Sequence, residues 1–183
     1  MALLETPTAD SNFTAPDFTL KNIDGTMMSY ADVKGEKGTL ILFICNHCPY
    51  VKAIIDRLVA DCKALQDQGI GCVAIMPNDA ENYPADSFDN MKIFAAENGF
   101  TFPYLIDETQ DIAKAYDAIC TPDIFGFSAD GILQYRGRCD SAGPKPADEN
   151  TTREMHDSML TIAQTGTAPA QQFPSMGCSI KWK

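Results

Sequence analysis

Gly38-Thr39-Leu40-Ile41-Leu42-Phe43-Ile44-Cys45-Asn46-His47-Cys48-Pro49-Tyr50-Val51 decides how this chain is read, because an unbroken apolar run gives way to a helical pattern. The run from Gly38 to Ile44 predicts a strand buried on both faces. From Val51 onward, Val51, Ile54, Ile55, Leu58, Val59, Cys62 and Leu65 recur at helical spacing. They predict a helix over about 46–68, with Gly69 closing its C-terminal end. Cys45 then falls at the mouth of that helix and Cys48 one turn in. Free backbone N–H groups and the positive end of the helix dipole favour a thiolate at such a place. A two-residue spacer lets the two sulfurs form a disulfide and release it again, so the pair reads as a redox dithiol.

Around this centre the pattern alternates. Phe18-Thr19-Leu20 and Met27–Tyr30, joined by a turn at Asp24-Gly25, predict an N-terminal β-hairpin. Gly71–Met76 predicts a second buried strand that empties into a polar loop, Pro77–Pro84. A helix over 87–98 follows, with Phe88, Met91, Phe94 and Ala95 inward. Tyr104–Ile106 predicts a short strand, and Glu108–Ala118 a helix presenting Ile112, Ala115 and Tyr116 on one face. Ile124–Phe127 and Ile132–Arg138 predict an antiparallel pair around the turn Ala129-Asp130-Gly131. Thr151-Thr152-Arg153-Glu154 offers a capping box for a last helix ending at Gly166. This order implies an α/β fold: a central mixed β-sheet, helices on both faces and an N-terminal β-hairpin. Residues 1–166 are expected to form one domain, and residues 167–183 a tail without clear periodicity.

Composition narrows the function. A chain of 183 residues that is 45% apolar can bury a sizeable core. A net charge of −11 and a pI near 4.4 argue against nucleic acid or an anionic membrane surface as partner. No stretch approaches the roughly 20 apolar residues of a membrane span, and the N-terminus lacks a basic region followed by an apolar one. Seven cysteines, an odd number, fit reduced thiols and a cytoplasmic location better than a disulfide framework. Cys62, on the helical stripe, and Cys72, opening a strand, read as small core residues.

Three stretches carry a resemblance, Phe43–Val51, Cys120-Thr121-Pro122-Asp123-Ile124-Phe125 and Tyr135-Arg136-Gly137-Arg138-Cys139-Asp140, and the closing Gly177-Cys178-Ser179-Ile180-Lys181-Trp182-Lys183 supports it. In these the chain resembles the thioredoxin superfamily, and within it the peroxiredoxin-like (AhpC/TSA, redoxin) proteins that carry a CxxC. The resemblance spans about 12–140 and implies a thioredoxin-like three-layer fold. It implies an exposed, low-pKa Cys45 that attacks a partner's disulfide, and Cys48 as the thiol that resolves the mixed disulfide. His47 would favour the Cys45 thiolate and move the potential to the oxidising side of thioredoxin. The Thr121–Pro122 bond would be cis and face the dithiol, with the Thr121 backbone docking an extended substrate segment. Cys178 is a possible third redox cysteine, although passive exposure in the tail is favoured. Cys120 reads as a core thiol.

Departures from the resembled pattern matter as well. Thr39 and Val51 occupy positions where related proteins place a buried carboxylate, which leaves His47, Asp123 or water as the proton acceptor for Cys48. The peroxidatic pattern Pro-x-x-x-Thr/Ser-x-x-Cys, aligned on Cys48, meets Ile41 and Cys45 instead of proline and hydroxyl. Arg136 or Arg138 would have to polarise a peroxide, whereas a surface strand charge is the simpler reading. One CxxC and a distant His156 do not make a zinc site. The expected activity is a thiol–disulfide oxidoreductase using Cys45 and Cys48, with neither cofactor nor metal. A thiol peroxidase with an antioxidant role and a non-catalytic redox-sensing or scaffold module are the alternatives. Partners would be a disulfide-containing protein or small thiol and an electron donor such as a thioredoxin or glutathione system. The oligomeric state is left open.

Overall fold

A computed structural model gives the structure of residues 2–183. Strand β1 (Leu3–Glu5) precedes the expected hairpin of β2 (Thr19–Asn22) and β3 (Met27–Ser29). Gly25 takes φ +90° in its turn, where the Asp24 carboxylate accepts from the Thr26 N–H and hydroxyl. Helix α1 (Tyr30–Val33) is closed by a reciprocal Ser29–Asp32 capping box. Then come β4 (Thr39–Phe43), α2 (Pro49–Gln66), β5 (Gly71–Met76), α3 (Phe88–Glu97), β6 (Tyr104–Ile106) and α4 (Asp111–Ala115). The chain ends with β7 (Cys120–Thr121), β8 (Asp123–Phe127), β9 (Leu133–Arg136), α5 (Glu154–Thr165) and β10 (Met176–Ser179).

Seven strands form one mixed sheet in the order β3-β2-β6-β5-β4-β8-β9. β4 runs parallel to β5 and antiparallel to β8, and so lies inside the sheet. Its side chains alternate between two cores, which explains its continuous apolar run. Leu40 and Leu42 face the inner stripe of α2, together with α3 and α5. Ile41 and Phe43 face the other side, where Phe18, Val33, Ala113, Tyr116, Phe125 and Phe127 pack. Helices therefore cover both faces, and the three-layer α/β arrangement read from the sequence is the observed one.

A second, three-stranded sheet has the order β1-β10-β7. Its middle strand comes from residues 167–183, where no periodicity was visible. Cys178 pairs with Thr121 and Ser179 with Cys120, both antiparallel. Gly177 permits this close approach, since a Cβ there would stand 2.2 Å from the Thr121 carbonyl oxygen.

Three local expectations are corrected. Helix α2 starts at Pro49, with Cys48 as its extended N-cap, rather than near residue 46. Proline presets the first helical φ and holds the preceding Cys48 extended, and the N–H groups of Asn46 and His47 ahead of it go to the Asp86 carboxylate. Helix α4 covers 111–115 rather than 108–118, because Gln110 adopts a left-handed φ of +66° immediately before it. Ala113 faces inward and Ala115 is exposed. The capping box of the last helix does not form: Arg153 is the N-cap and its side chain makes no capping bond, and the Thr151 hydroxyl is held by Asp148. Gly166 does end that helix, in the left-handed conformation.

Candidate active site

Strand β4 delivers Cys45 and helix α2 begins behind Cys48, so the turn between them decides where the two sulfurs lie. That turn is organised by Asp86, which is fully buried. One carboxylate oxygen accepts the backbone N–H groups of Asn46 (2.9 Å) and His47 (3.3 Å). The other lies 2.7 Å from His47 Nδ1 and accepts from Asn78 Nδ2 at 2.8 Å. The carboxylate makes that imidazole nitrogen the donor. Asn46 is clamped in turn, its amide donating to the Ala85 carbonyl and its oxygen accepting from the Tyr104 hydroxyl. The His47 ring stacks against Tyr83 with centroids 6.0 Å apart.

The sulfurs converge on Thr121. The Thr121 hydroxyl lies 3.3 Å from Cys45 Sγ, and the Thr121 carbonyl oxygen lies 3.1 Å from Cys48 Sγ. His47 Nδ1 is 3.9 Å from Cys45 Sγ. The Thr121–Pro122 bond is cis. The structure thus brings together Cys45, His47, Cys48, Thr121 and Pro122, as well as Cys178, which pairs with Thr121 across β10.

Exposure differs from the expectation. Cys45 is only 1% exposed and Cys48 0%, and both lie in the buried cluster that also holds Cys178 of β10. Cys178 is 5% exposed, so the passive, solvent-facing tail thiol is corrected to a buried one.

The pair shares one ionisation. The Cys45 thiol, the Val51 N–H and Cys178 all act on the Cys48 sulfur and pull its pKa down to about 4, against burial. Cys45 is pushed well above the ordinary thiol range, first by its bond to Cys48, then by burial and the Asp86 charge. The Thr121 carbonyl pulls the other way, since only a protonated Cys48 can donate to it. One proton therefore has two seats: on Cys45, facing a Cys48 thiolate, or on Cys48, facing a Cys45 thiolate that takes the Thr121 hydroxyl.

Asp86 was not singled out in the sequence, although it lies just beyond the polar loop after β5. Asp123 is not at the dithiol: both of its oxygens bind Arg136. Arg136 is 5% exposed and lies over the Phe125 ring, so it is a buried ion-pair partner and not a surface charge. Arg138 is paired with Glu154. Cys62, Cys72, Cys120 and Cys139 are all buried in the core, and His156 bonds to Asp157. Among the described residues, one set could hold a metal ion: Cys45, His47 and Asp86, whose ligand atoms lie within 4.8 Å of one another. The His47–Asp86 bond and the contacts of Cys45 with His47 and Thr121 already account for that cluster. A cavity of about 280 Å³ opens beside Pro122, walled by Tyr50, Ile54, Cys139, Phe173 and Met176. No helix among the described residues is long and apolar enough to cross a membrane.

Comparison with known proteins agrees with this fold. The AhpC/TSA family matches residues 12–136. A solved structure of a conserved protein from Geobacillus kaustophilus is 44% identical, with a TM-score of 0.91 over 100% of this chain and 97% of that one. The thiol-disulfide oxidoreductase ResA of Bacillus subtilis is 27% identical over 64% of this chain and 61% of its own. The thioredoxin-like protein YneN of the same organism is 30% identical over 66% of each. The chain thus spans about two thirds or less of these two curated relatives. The thioredoxin domain of a Bacteroides vulgatus thiol-disulfide oxidoreductase shares the fold, at 16% identity, with a TM-score of 0.64 over 84% of this chain and 98% of that one.

Proposed function

The chain belongs to the AhpC/TSA family, and on that footing we propose that it is a thiol–disulfide oxidoreductase working through Cys45 and Cys48. The observation that carries the reading is the convergence of both sulfurs on Thr121 beside a cis proline. In the working state the shared proton moves to Cys48, which donates it to the Thr121 carbonyl, while the Cys45 thiolate accepts from the Thr121 hydroxyl. Cys45 attacks a partner disulfide, forming a mixed disulfide and releasing one partner thiolate. Cys48 then gives up its proton to that thiolate and attacks the Cys45 sulfur. The Cys45–Cys48 disulfide forms and the second partner thiolate leaves, so two electrons have passed to the partner. When protonated, His47 stabilises the Cys45 thiolate from 3.9 Å.

Docking follows the available surface. One backbone edge of Thr121 is held by β10, so a partner segment rests its apolar flank in the cavity beside Pro122 and reaches the sulfurs once the turn and β10 open. Disulfide-bearing proteins or small disulfides fit this role, with a thioredoxin- or glutathione-type donor restoring the dithiol. Peroxide reduction has less support. Arg136 is held by Asp123 and the Asp117 carbonyl, and Arg138 by Glu154, which leaves neither guanidinium free to polarise a peroxide.

Insulin disulfide reduction coupled to a thioredoxin reductase system tests the reading. Turnover is expected in the wild type and lost in both Cys45→Ser and Cys48→Ser. A wild type that shows no turnover, or rapid oxidation by hydrogen peroxide in stopped flow, would overturn it.

A further inference from the structure

We propose that Cys178 is a second resolving thiol, which takes Cys48 over from Cys45 so that the oxidised protein rests as a Cys48–Cys178 disulfide with Cys45 free. The inference rests on the dithiol reading of the site, and the geometry of β10 carries it further. Residues directly opposite in an antiparallel pair project their side chains to the same face. Thr121 points its hydroxyl at Cys45, and its opposite residue is Cys178. The Cys178 side chain is therefore aimed at the dithiol from the neighbouring strand. Cys45, Cys48 and Cys178 belong to one buried cluster, and β10 also packs against α2.

This thiol is placed, not carried on a loose end. Ile180 N–H donates to the Ile119 carbonyl, Lys181 N–H to Asn78 Oδ1, and Asp79 N–H to the Lys181 carbonyl. Asn78 is the same residue that donates to Asp86, so one network fixes both the dithiol turn and the strand bearing Cys178. Burial and the neighbouring Cys48 sulfur push the Cys178 thiol up to about 11. That push belongs to the reduced protein: once Cys48 is tied to Cys45, its sulfur no longer raises Cys178, and burial alone remains.

The exchange balances without any external oxidant. Cys178 sulfur attacks Cys48 in the Cys45–Cys48 disulfide, the Cys48–Cys178 bond forms, the Cys45–Cys48 bond breaks, and the Cys178 proton passes to the Cys45 thiolate. No electrons are gained or lost. The product returns Cys45 to the Thr121 hydroxyl as a free thiol while storing the oxidising equivalent on the far side of Cys48.

Disulfide mapping tests this directly. The wild type is oxidised with excess oxidised glutathione, quenched in acid, alkylated and digested for mass spectrometry. A Cys48–Cys178 peptide with alkylated Cys45 is expected as the main product; a Cys45–Cys48 peptide alone would overturn the proposal. In Cys45→Ser, Cys48 attacks glutathione disulfide and Cys178 displaces the bound glutathione, which releases two glutathione thiols per chain. Glutathione that stays on Cys48 would overturn the proposal. Failure of the oxidoreductase reading looks different: the Cys48–Cys178 bond forms, yet the wild type does not reduce insulin.

Discussion

Replacing Asp86 with alanine should loosen the dithiol turn and sharpen its reactivity together. The carboxylate is fully buried and takes bonds from the backbone of Asn46 and His47, from His47 Nδ1 and from Asn78. Hydrogen bonds to a charged group contribute about 1.5–3 kcal/mol each, but four in one network do not add. His47 is partly exposed and can turn to water, so the backbone N–H groups and Asn78 carry most of the loss. Leaving a buried donor unsatisfied costs about 1–3 kcal/mol, so with the backbone N–H groups and Asn78 stranded together Asp86→Ala should cost about 3–5 kcal/mol. Asp86→Asn keeps the shape and one acceptor oxygen for the backbone, and should cost about half as much. The Asp86 charge also holds the Cys45 pKa up, so either change should lower it and speed alkylation of Cys45. Urea unfolding of the reduced protein, at unchanged m-value, measures the first effect, and iodoacetamide kinetics the second. A loss below about 1 kcal/mol in Asp86→Ala, or an asparagine variant as weak as the alanine one, would refute the view that this carboxylate builds the turn.

Gly177→Ala places a methyl group against the Thr121 carbonyl. Overpacking of this kind costs about 1–3 kcal/mol, and by displacing β10 it should raise native-state labelling of Cys45 and Cys48 roughly 5- to 150-fold; unchanged labelling would mean that β10 does not cover the dithiol. Asp123→Asn leaves Arg136 buried without its charge partner and should cost about 3–5 kcal/mol in urea unfolding, whereas a change under about 1 kcal/mol would show the pair to be dispensable. Because the folded Cys48 pKa is about 4 against an ordinary 9.0, the unfolded chain holds a proton between those pH values that the folded one lacks. Stability of the reduced protein relative to Cys48→Ser should therefore climb as pH rises from about 4 toward 9 and vanish as pH falls through 4. A difference in urea midpoint that stays flat across that range would contradict the shared ionisation.

What could be read in the sequence was whatever announces itself locally. The run from Thr39 to Phe43 is apolar at nearly every position because it faces two cores, and Cys45 and Cys48 are recognisable by spacing alone. Asp86 gave no such sign, since its partners in the dithiol turn lie about forty residues earlier in the chain, and any acidic residue in a polar loop reads as solvated. Arg136 misleads for the same reason: only Asp123, on the adjacent strand, explains how a guanidinium is buried. Met176–Ser179 is too short to show alternation, and its place is set by pairing with Thr121 rather than by its own composition. The start of α2 is displaced because Pro49 biases the residue before it toward extended backbone, which Cys48 adopts, so the helix cannot run back through Cys48 toward residue 46.

The closure of β10 over Thr121 has a consequence for biosynthesis. Residues 176–181 leave the ribosome after every other part of the site, so a nascent chain whose β4 and α2 have already paired still lacks its cover. Throughout that interval the Thr121 edge that β10 later takes is unpaired. Chains ending before residue 176 should therefore have Cys45 and Cys48 alkylated faster than the full chain, in which β10 pairs with Thr121.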